Sequence, residues 1–201
     1  MSNSVSPNPV PGAVRMRLYD RAGQRKYLTP AERIVFLQAT LQSPSTVRTF
    51  CETLAYTGCR ISEALALTTR CVDLADGVLV FESLKKRRRG VYRAVPVPPE
   101  FLATLIAVHD LQKEHPASPL WSWSRTTAWR RVGEVMAAAN IEGGYATPKG
   151  LRHGFGIKAV TSEVPLNMTQ KWMGHARLAT TSIYTDAVGP EERKIAERMW
   201  T

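Results

Sequence analysis

Tyr184 closes the stretch HARLATTSIY, nine residues after His175, and clusters of cations stand at three other places in the chain. Arg60 follows a Thr-Gly-Cys turn in YTGCRISEAL, and Lys149 and Arg152 are three apart in TPKGLRHGF. From Lys85 to Arg93 there are six basic residues and no acid. A tyrosine can break a phosphodiester only if its phenolate attacks phosphorus in line, positive charge surrounds the non-bridging oxygens, and the departing 5′ oxygen receives a proton. Where no metal supplies that charge, side chains must. Arginine suits the phosphate because its planar fork offers two parallel donors and never deprotonates. Lysine suits proton delivery because crowding by other cations lowers its pKa.

These residues need elements to hold them. Thr29 before Pro30, with Glu32 three residues on, is a capping box plus a proline at the first helical position, so a helix starts there. A second helix is expected through STVRTFCETLAYTG, with Gly58 as its terminator. Arg60 then sits at the entrance to a third short helix, where Ser62 can cap and Glu63 lies near the positive end. The apolar period next becomes strand-like: GVLVFESLKK and VYRAVPVP pair as a β-hairpin with a basic tip at RRRG. Helical patterns return after Pro99, in EFLATLIAVHDLQKE, TTAWRRVGEVMAAAN, PKGLRHGFGIKAV, PLNMTQKWMG, TTSIYTD and PEERKIAERMW. Thr147 and Pro148 mark a helix start that puts Lys149 and Arg152 on one face of the first turn, beside free backbone N–H groups. Gly174 ends the next helix, His175 follows in the turn, and Thr180 or Thr181 caps the short helix that carries Tyr184. The fold class is therefore mainly α with a small antiparallel β-sheet.

The chain has 201 residues, which fits one domain with a tail. Residues 1–27, rich in Ser, Asn and Pro and then in Arg, read as a flexible basic arm ahead of a domain spanning 28–201. With 27 Lys and Arg against 17 Asp and Glu, the formal net charge is +10, which favours a polyanionic partner through counterion release. Cys51, Cys59 and Cys71 are an odd set without metal-ligand spacing, so they read as reduced thiols in a cytoplasm, with neither a disulfide framework nor a zinc site. No run approaches the ~18 to 20 apolar residues of a membrane span, and the N-terminus lacks the apolar core of a signal peptide. Trp121, Trp123 and Trp129 admit two readings: core packing, or a DNA-facing helix that uses Arg125, Arg130 and Arg131.

Taken together, TGCRISEALAL, LRHGFG and WMGHARLATTSIYTD resemble the tyrosine recombinases of the phage integrase family, in order and in separation, over roughly residues 28–201. The resemblance implies the DNA breaking-rejoining fold of that family's catalytic domain. It makes Tyr184 the nucleophile, leaving a 3′-phosphotyrosine and a free 5′-hydroxyl. Arg60 and Arg152 would hold the scissile phosphate, His175 would hydrogen-bond one of its oxygens, and a hairpin lysine would be the general acid. Strand alternation sends Lys85 and Lys86 to opposite faces, and Lys85 is preferred. Lys86, Arg87, Arg88, Arg89 and Arg93 would then grip the DNA backbone, joined by Arg130 and Arg131. One ester replaces another, so no cofactor and no metal is implied.

Two departures from the family pattern stand out. Lys149 occupies a position where the family commonly has histidine; it can support the phosphate as a point charge but cannot relay a proton as a neutral imidazole does. A separate N-terminal core-binding domain is not expected before the catalytic domain, which weakens autonomous site recognition. The implied partners are double-stranded DNA, further copies of the chain as a dimer or tetramer on DNA, and accessory DNA-binding factors, at the bacterial nucleoid. The last helix, with Ile195, Met199 and Trp200 on one face, either closes its own core or docks on a neighbouring subunit. Two rivals remain: an accessory DNA-binding protein that kept the fold and lost cleavage, and a type IB topoisomerase that relaxes supercoils.

Overall fold

A computed structural model describes residues 18–82 and 90–186, together with 193, 196, 197 and 199. Helices α1 (Pro30–Thr40), α2 (Ser45–Thr57) and α3 (Ile61–Leu65) come first. A three-stranded sheet follows: β1 (Val72–Asp73), β2 (Val78–Glu82) and β3 (Tyr92–Pro96). Then come α4 (Pro99–His109), α5 (Arg125–Ala138), α6 (Pro148–Thr161) and α7 (Leu166–Met173), and finally two 3₁₀ turns, Leu178–Thr180 and Ser182–Asp186. The sheet is antiparallel in the order β1-β2-β3, and the hairpin register sets Phe81 opposite Arg93 and Leu79 opposite Val95. β1 is an addition to the two strands read from the sequence. Among the described residues, no helix is long and apolar enough to cross a membrane.

The capping box at Thr29 forms as the sequence dictates: the Glu32 N–H donates to Thr29 Oγ1 at 3.2 Å, and the Thr29 N–H donates to Glu32 Oε2 at 2.8 Å. α2 ends at Gly58, whose φ of +60° is open to glycine at little cost. A Cβ at Gly58 would also stand 2.5 Å from the Phe155 ring, so this terminator doubles as the close contact between α2 and α6. α2 is central, packing on α1, α4 and α6. Its Phe50, Cys51, Leu54 and Ala55 join Phe36, Leu79, Leu105, Val132 and Leu151 in the main core.

A second, smaller core lies under the C-terminal turns: Leu18, Tyr27, Ile157, Met173, Ile183 and Tyr184. It corrects the boundary of the arm. From Leu18 onward the segment is folded, with a bridge between Tyr19 and Arg25 and with Leu18 and Tyr27 buried. Arg25 forks onto Glu32 and stacks over Tyr145, its guanidinium 3.8 Å from the ring centroid. Burying a side chain such as Leu18 contributes roughly 1.5 to 3 kcal/mol, enough to hold a short segment that its composition would leave loose.

Candidate active site

A cavity of about 610 Å³ opens where α3, α5, α6 and the turn after α7 meet. Among the described residues, four cations line it, Arg60, Arg125, Lys149 and Arg152, with His153 and His175, and no carboxylate does. The Thr147 hydroxyl caps α6 by accepting the Gly150 N–H at 3.1 Å, and Pro148 fills the first helical position, so Lys149 and Arg152 fall in the first turns as the sequence requires.

Arg152 is fixed by its surroundings. It donates to the Gly58 carbonyl at 2.6 Å and to the Met173 carbonyl at 2.8 Å, which tie it to the ends of α2 and α7. Burial, and then the neighbouring charge of Arg60, bring its pKa down to about 10, still protonated at neutral pH. Arg60 is the N-cap of α3 and remains exposed. Its position is set by Glu63, which accepts from the Arg60 N–H at 2.8 Å and from its guanidinium at 3.0 Å. Ser62, expected as the cap, is instead inside the helix.

His175 follows Gly174, the left-handed terminator of α7. Its Nδ1 lies 2.9 Å from the hydroxyl of buried Thr181, and its backbone and Gln170 exchange two hydrogen bonds of 3.1 Å. The ring stacks on Tyr184, with centroids 6.3 Å apart and planes 17° from parallel. Tyr184 is fully buried, carried by a 3₁₀ turn rather than by the short helix expected. Gly156 seats it: a Cβ there would stand 2.5 Å from the ring. Burial pushes the phenol up to about 12, against the partial offset of Arg152 and Arg60. Its hydroxyl lies 3.3 Å from Nδ1 of His153. The structure thus brings Arg60, Lys149, Arg152 and His175 around one cavity, with Tyr184 immediately behind it.

His153 is a residue that sequence reasoning missed. Its signal was positional: Lys149, Arg152, His153 and Gly156 fall at i, i+3, i+4 and i+7, one stripe of α6.

The DNA-gripping set divides. Lys85, Lys86, Arg87, Arg88 and Arg89 lie outside the described residues. Arg93 is a correction: it belongs to the interior. Its guanidinium pairs with Glu63 at 2.7 and 3.3 Å, donates from Nε to the Trp172 carbonyl at 2.8 Å, and sits over Phe81. Three of its five N–H donors are engaged there, at a side chain only 9% exposed, so it is turned away from a phosphate at the surface. Arg130 is exposed and Arg131 half-buried on α5, and both pair with Glu134. The tryptophans divide too. Trp121 packs edge-on against Phe50 in the core, whereas Trp129 is exposed at the cavity rim beside Arg125. Ala196, Glu197 and Met199 are the described part of the last segment with Arg193; Ile195 and Trp200 fall outside it.

The profile of the phage integrase family matches residues 26–189. Tyrosine recombinase XerD of Pseudomonas aeruginosa is 33% identical over 150 residues, covering 69% of this chain and 48% of that protein. XerA of Pyrococcus furiosus is 28% identical over 152 residues, 71% of this chain and 50% of that protein. The chain therefore spans about half the length of these relatives. In three dimensions it is similar to a crystal structure of XerA recombinase, with a TM-score of 0.75 at 25% identity, over 86% of this chain and 64% of that one. The fold is also that of the Tn1549 transposon integrase solved in complex with transposon right end DNA, at a TM-score of 0.66 and 19% identity, over 87% of this chain and 66% of that one.

Proposed function

Because the chain belongs to the phage integrase family, we propose that it cleaves and rejoins duplex DNA at specific sites, with residues 28–201, joined by the segment from Leu18 that docks on them, as the catalytic domain and Tyr184 as the nucleophile. The observation that carries this reading is the cavity that, among the described residues, is lined by four cations and no carboxylate, set directly in front of a buried tyrosine. A phosphodiester in it would meet the fork of Arg152, already aimed by two carbonyls, and the free donors of Arg60. Lys149 adds a point charge. Thr181 holds His175 at Nδ1, so the imidazole is fixed in the cavity lining, where it would meet a phosphate oxygen.

Attack by the Tyr184 oxygen forms the phosphotyrosine ester at the 3′ end while the bond from phosphorus to the 5′ oxygen breaks. Lys85 on the hairpin delivers the proton that the 5′ oxygen takes. The 5′-hydroxyl of a second strand reverses the attack, and one ester has replaced another throughout. Electrostatic stabilisation of the crowded phosphate does most of the work, and each donor is typically worth ~10² to 10³ in rate. Exchange between two sites needs more than one active centre, so the working form is an assembly of copies on DNA, with accessory DNA-binding factors setting the outcome. Double-stranded DNA as the partner is supported by the net charge of +10, and Arg130 and Arg131 of α5 would contact its backbone. The same reading puts the protein at the nucleoid.

Covalent capture tests this. Randomly nicked genomic fragments from the source organism are incubated with the protein, denatured, and the protein-linked DNA sequenced. A discrete set of sites is expected from the wild type, and none from Tyr184→Phe, which lacks only the attacking oxygen and should bind DNA as well. Equal adduct from both proteins would refute the assignment of Tyr184.

A further inference from the structure

Attack by a phenol requires that its proton go somewhere, and the cations around the cavity cannot take it. Arginine stays protonated, and an ammonium has no lone pair. His175 turns its ring face to Tyr184 and gives Nδ1 to Thr181. His153 is placed differently. Its Nδ1 is 3.3 Å from the Tyr184 hydroxyl, and the two rings meet at 58° with centroids 5.9 Å apart, so the phenol points at the edge of the imidazole, where the nitrogen lies. His153 also lines the cavity, whereas Tyr184 does not. It therefore stands at the boundary that the hydroxyl must cross to reach phosphorus. It is the residue directly after Arg152 on a well-packed helix, so the phosphate clamp and the phenol's partner are held by one rigid backbone.

We propose that His153 is the general base that takes the phenolic proton of Tyr184 as the oxygen attacks phosphorus. The inference rests on the transesterification reading above. The proton moves from the phenolic oxygen to Nδ1, the oxygen's electron pair forms the bond to phosphorus, and the bond to the 5′ oxygen breaks with its own proton supplied by the hairpin lysine. In the rejoining step the imidazolium returns the proton to the departing phenolate.

The charges around the ring suit this role. Lys149 and Arg152 face His153 from its own helix, Lys26 from the N-terminal segment and Tyr184 from the C-terminal turn. Burial, then these three cations, hold the imidazole down at about 4, so without substrate it is neutral and has a lone pair for the phenol. A phosphodiester bound between Arg60, Lys149 and Arg152 offsets the same cations. The ring then becomes more basic when the phosphate is in place, which confines proton removal to the loaded site.

The test is single-turnover cleavage of the nicked site recovered by covalent capture, comparing wild type, His153→Ala and His153→Asn. General bases contribute typically ~10² to 10⁴ in rate, so His153→Ala should be slower by that factor with DNA affinity unchanged. Added imidazole should restore its rate, and restore it better with imidazoles of higher pKa, while leaving the wild type unaffected. His153→Asn can still hydrogen-bond the phenol but cannot take its proton, and should stay slow. The wild-type rate should fall as pH drops through the histidine pKa of the complex, and this limb should vanish in His153→Asn. If His153→Ala does not fold, the Asn variant and the wild-type pH limb decide. A wild-type rate in His153→Asn, or a folded His153→Ala that imidazole does not restore, overturns the proposal while leaving Tyr184 as the nucleophile. A wild type that forms no adduct at all overturns both.

Discussion

Replacing Arg93 by methionine would separate an interior cation from a DNA-binding one. The side chain is 9% exposed and its partner Glu63 4%, and three contacts would be lost together: the fork onto Glu63, the bond from Nε to the Trp172 carbonyl, and the cation over Phe81. Removing one member of a buried ion pair typically costs ~3 to 5 kcal/mol, because the other charge stays behind without its partner. Glu63 would keep Arg60, whose guanidinium and backbone N–H both reach it, so the lower end applies. Methionine also preserves an apolar stem against Phe81. The expected loss is therefore about 3 kcal/mol, a large share of the ~5 to 15 kcal/mol of an ordinary domain, and it moves the urea midpoint down by on the order of 1 M at an unchanged slope.

The pH dependence of that loss is fixed by Glu63. Burial raises the carboxyl, but Arg93 and the Arg60 N–H more than offset it, so its folded pKa lies below the ordinary value. Its contribution is complete above the unfolded pKa of ~4.3 and drains away as pH falls through the lower folded one. The gap between wild type and Arg93→Met should then be widest at neutral pH and narrow in acid. Glu63→Gln combined with Arg93→Met should recover part of the loss. If Arg93→Met instead leaves the midpoint unchanged and flattens the salt dependence of DNA binding by about one unit, Arg93 contacts phosphate and its interior role is wrong.

The remaining tests bear on the cavity and on the seat of the phenol. Lys149→Ala should lower single-turnover cleavage by roughly one to three orders of magnitude, and Lys149→His should keep partial activity that improves towards pH ~6, where imidazolium restores the charge; an Ala variant as fast as wild type would make Lys149 a surface lysine. Gly156→Ala sets a methyl against the Tyr184 ring, and the overpacking cost of ~1 to 3 kcal/mol should outweigh the ~0.5 to 1 kcal/mol that alanine gains in a helix. Urea unfolding reads the net loss, and spectrophotometric titration should find one phenol ionising below about 12 as the displaced ring gains water; an unchanged phenol would mean the ring is not seated on Gly156.

Local signals were legible where one or two residues decide an element. Thr29, Pro30 and Glu32 start α1, Gly58 and Gly174 end their helices in the left-handed region, and the alternating hydrophobics of the hairpin set its strands. What composition concealed was direction. The run from Lys85 to Arg93 looks uniformly basic, yet period-two alternation already puts Arg93 on the same face as Val95, and Val95 is core. Counting charge hid a cation that alternation turns inward. The N-terminal segment shows the same effect in reverse: its average is polar, but Leu18 and Tyr27 are buried beside Tyr184.

α6 shows why His153 escaped notice. Spacing of i, i+3, i+4 and i+7 is the pattern by which an apolar helix face is recognised, and a search for hydrophobic residues passes over it when the positions hold Lys149, Arg152, His153 and Gly156. Yet that stripe does what an apolar stripe does: it faces the molecule's interior and meets a partner along its length. Near the capped N-terminus it meets the cavity, where helix dipole, ammonium and guanidinium add to one positive field. Two turns on, at the missing side chain of Gly156, it meets the ring of Tyr184. His153 lies between the two and touches both. A single helix thus fixes the distance from the cavity's cations to the seat of the Tyr184 ring by its 1.5 Å rise per residue, which no loop-borne arrangement of the same side chains would hold as closely. The chemistry is written at helical period in residues that hydropathy does not count.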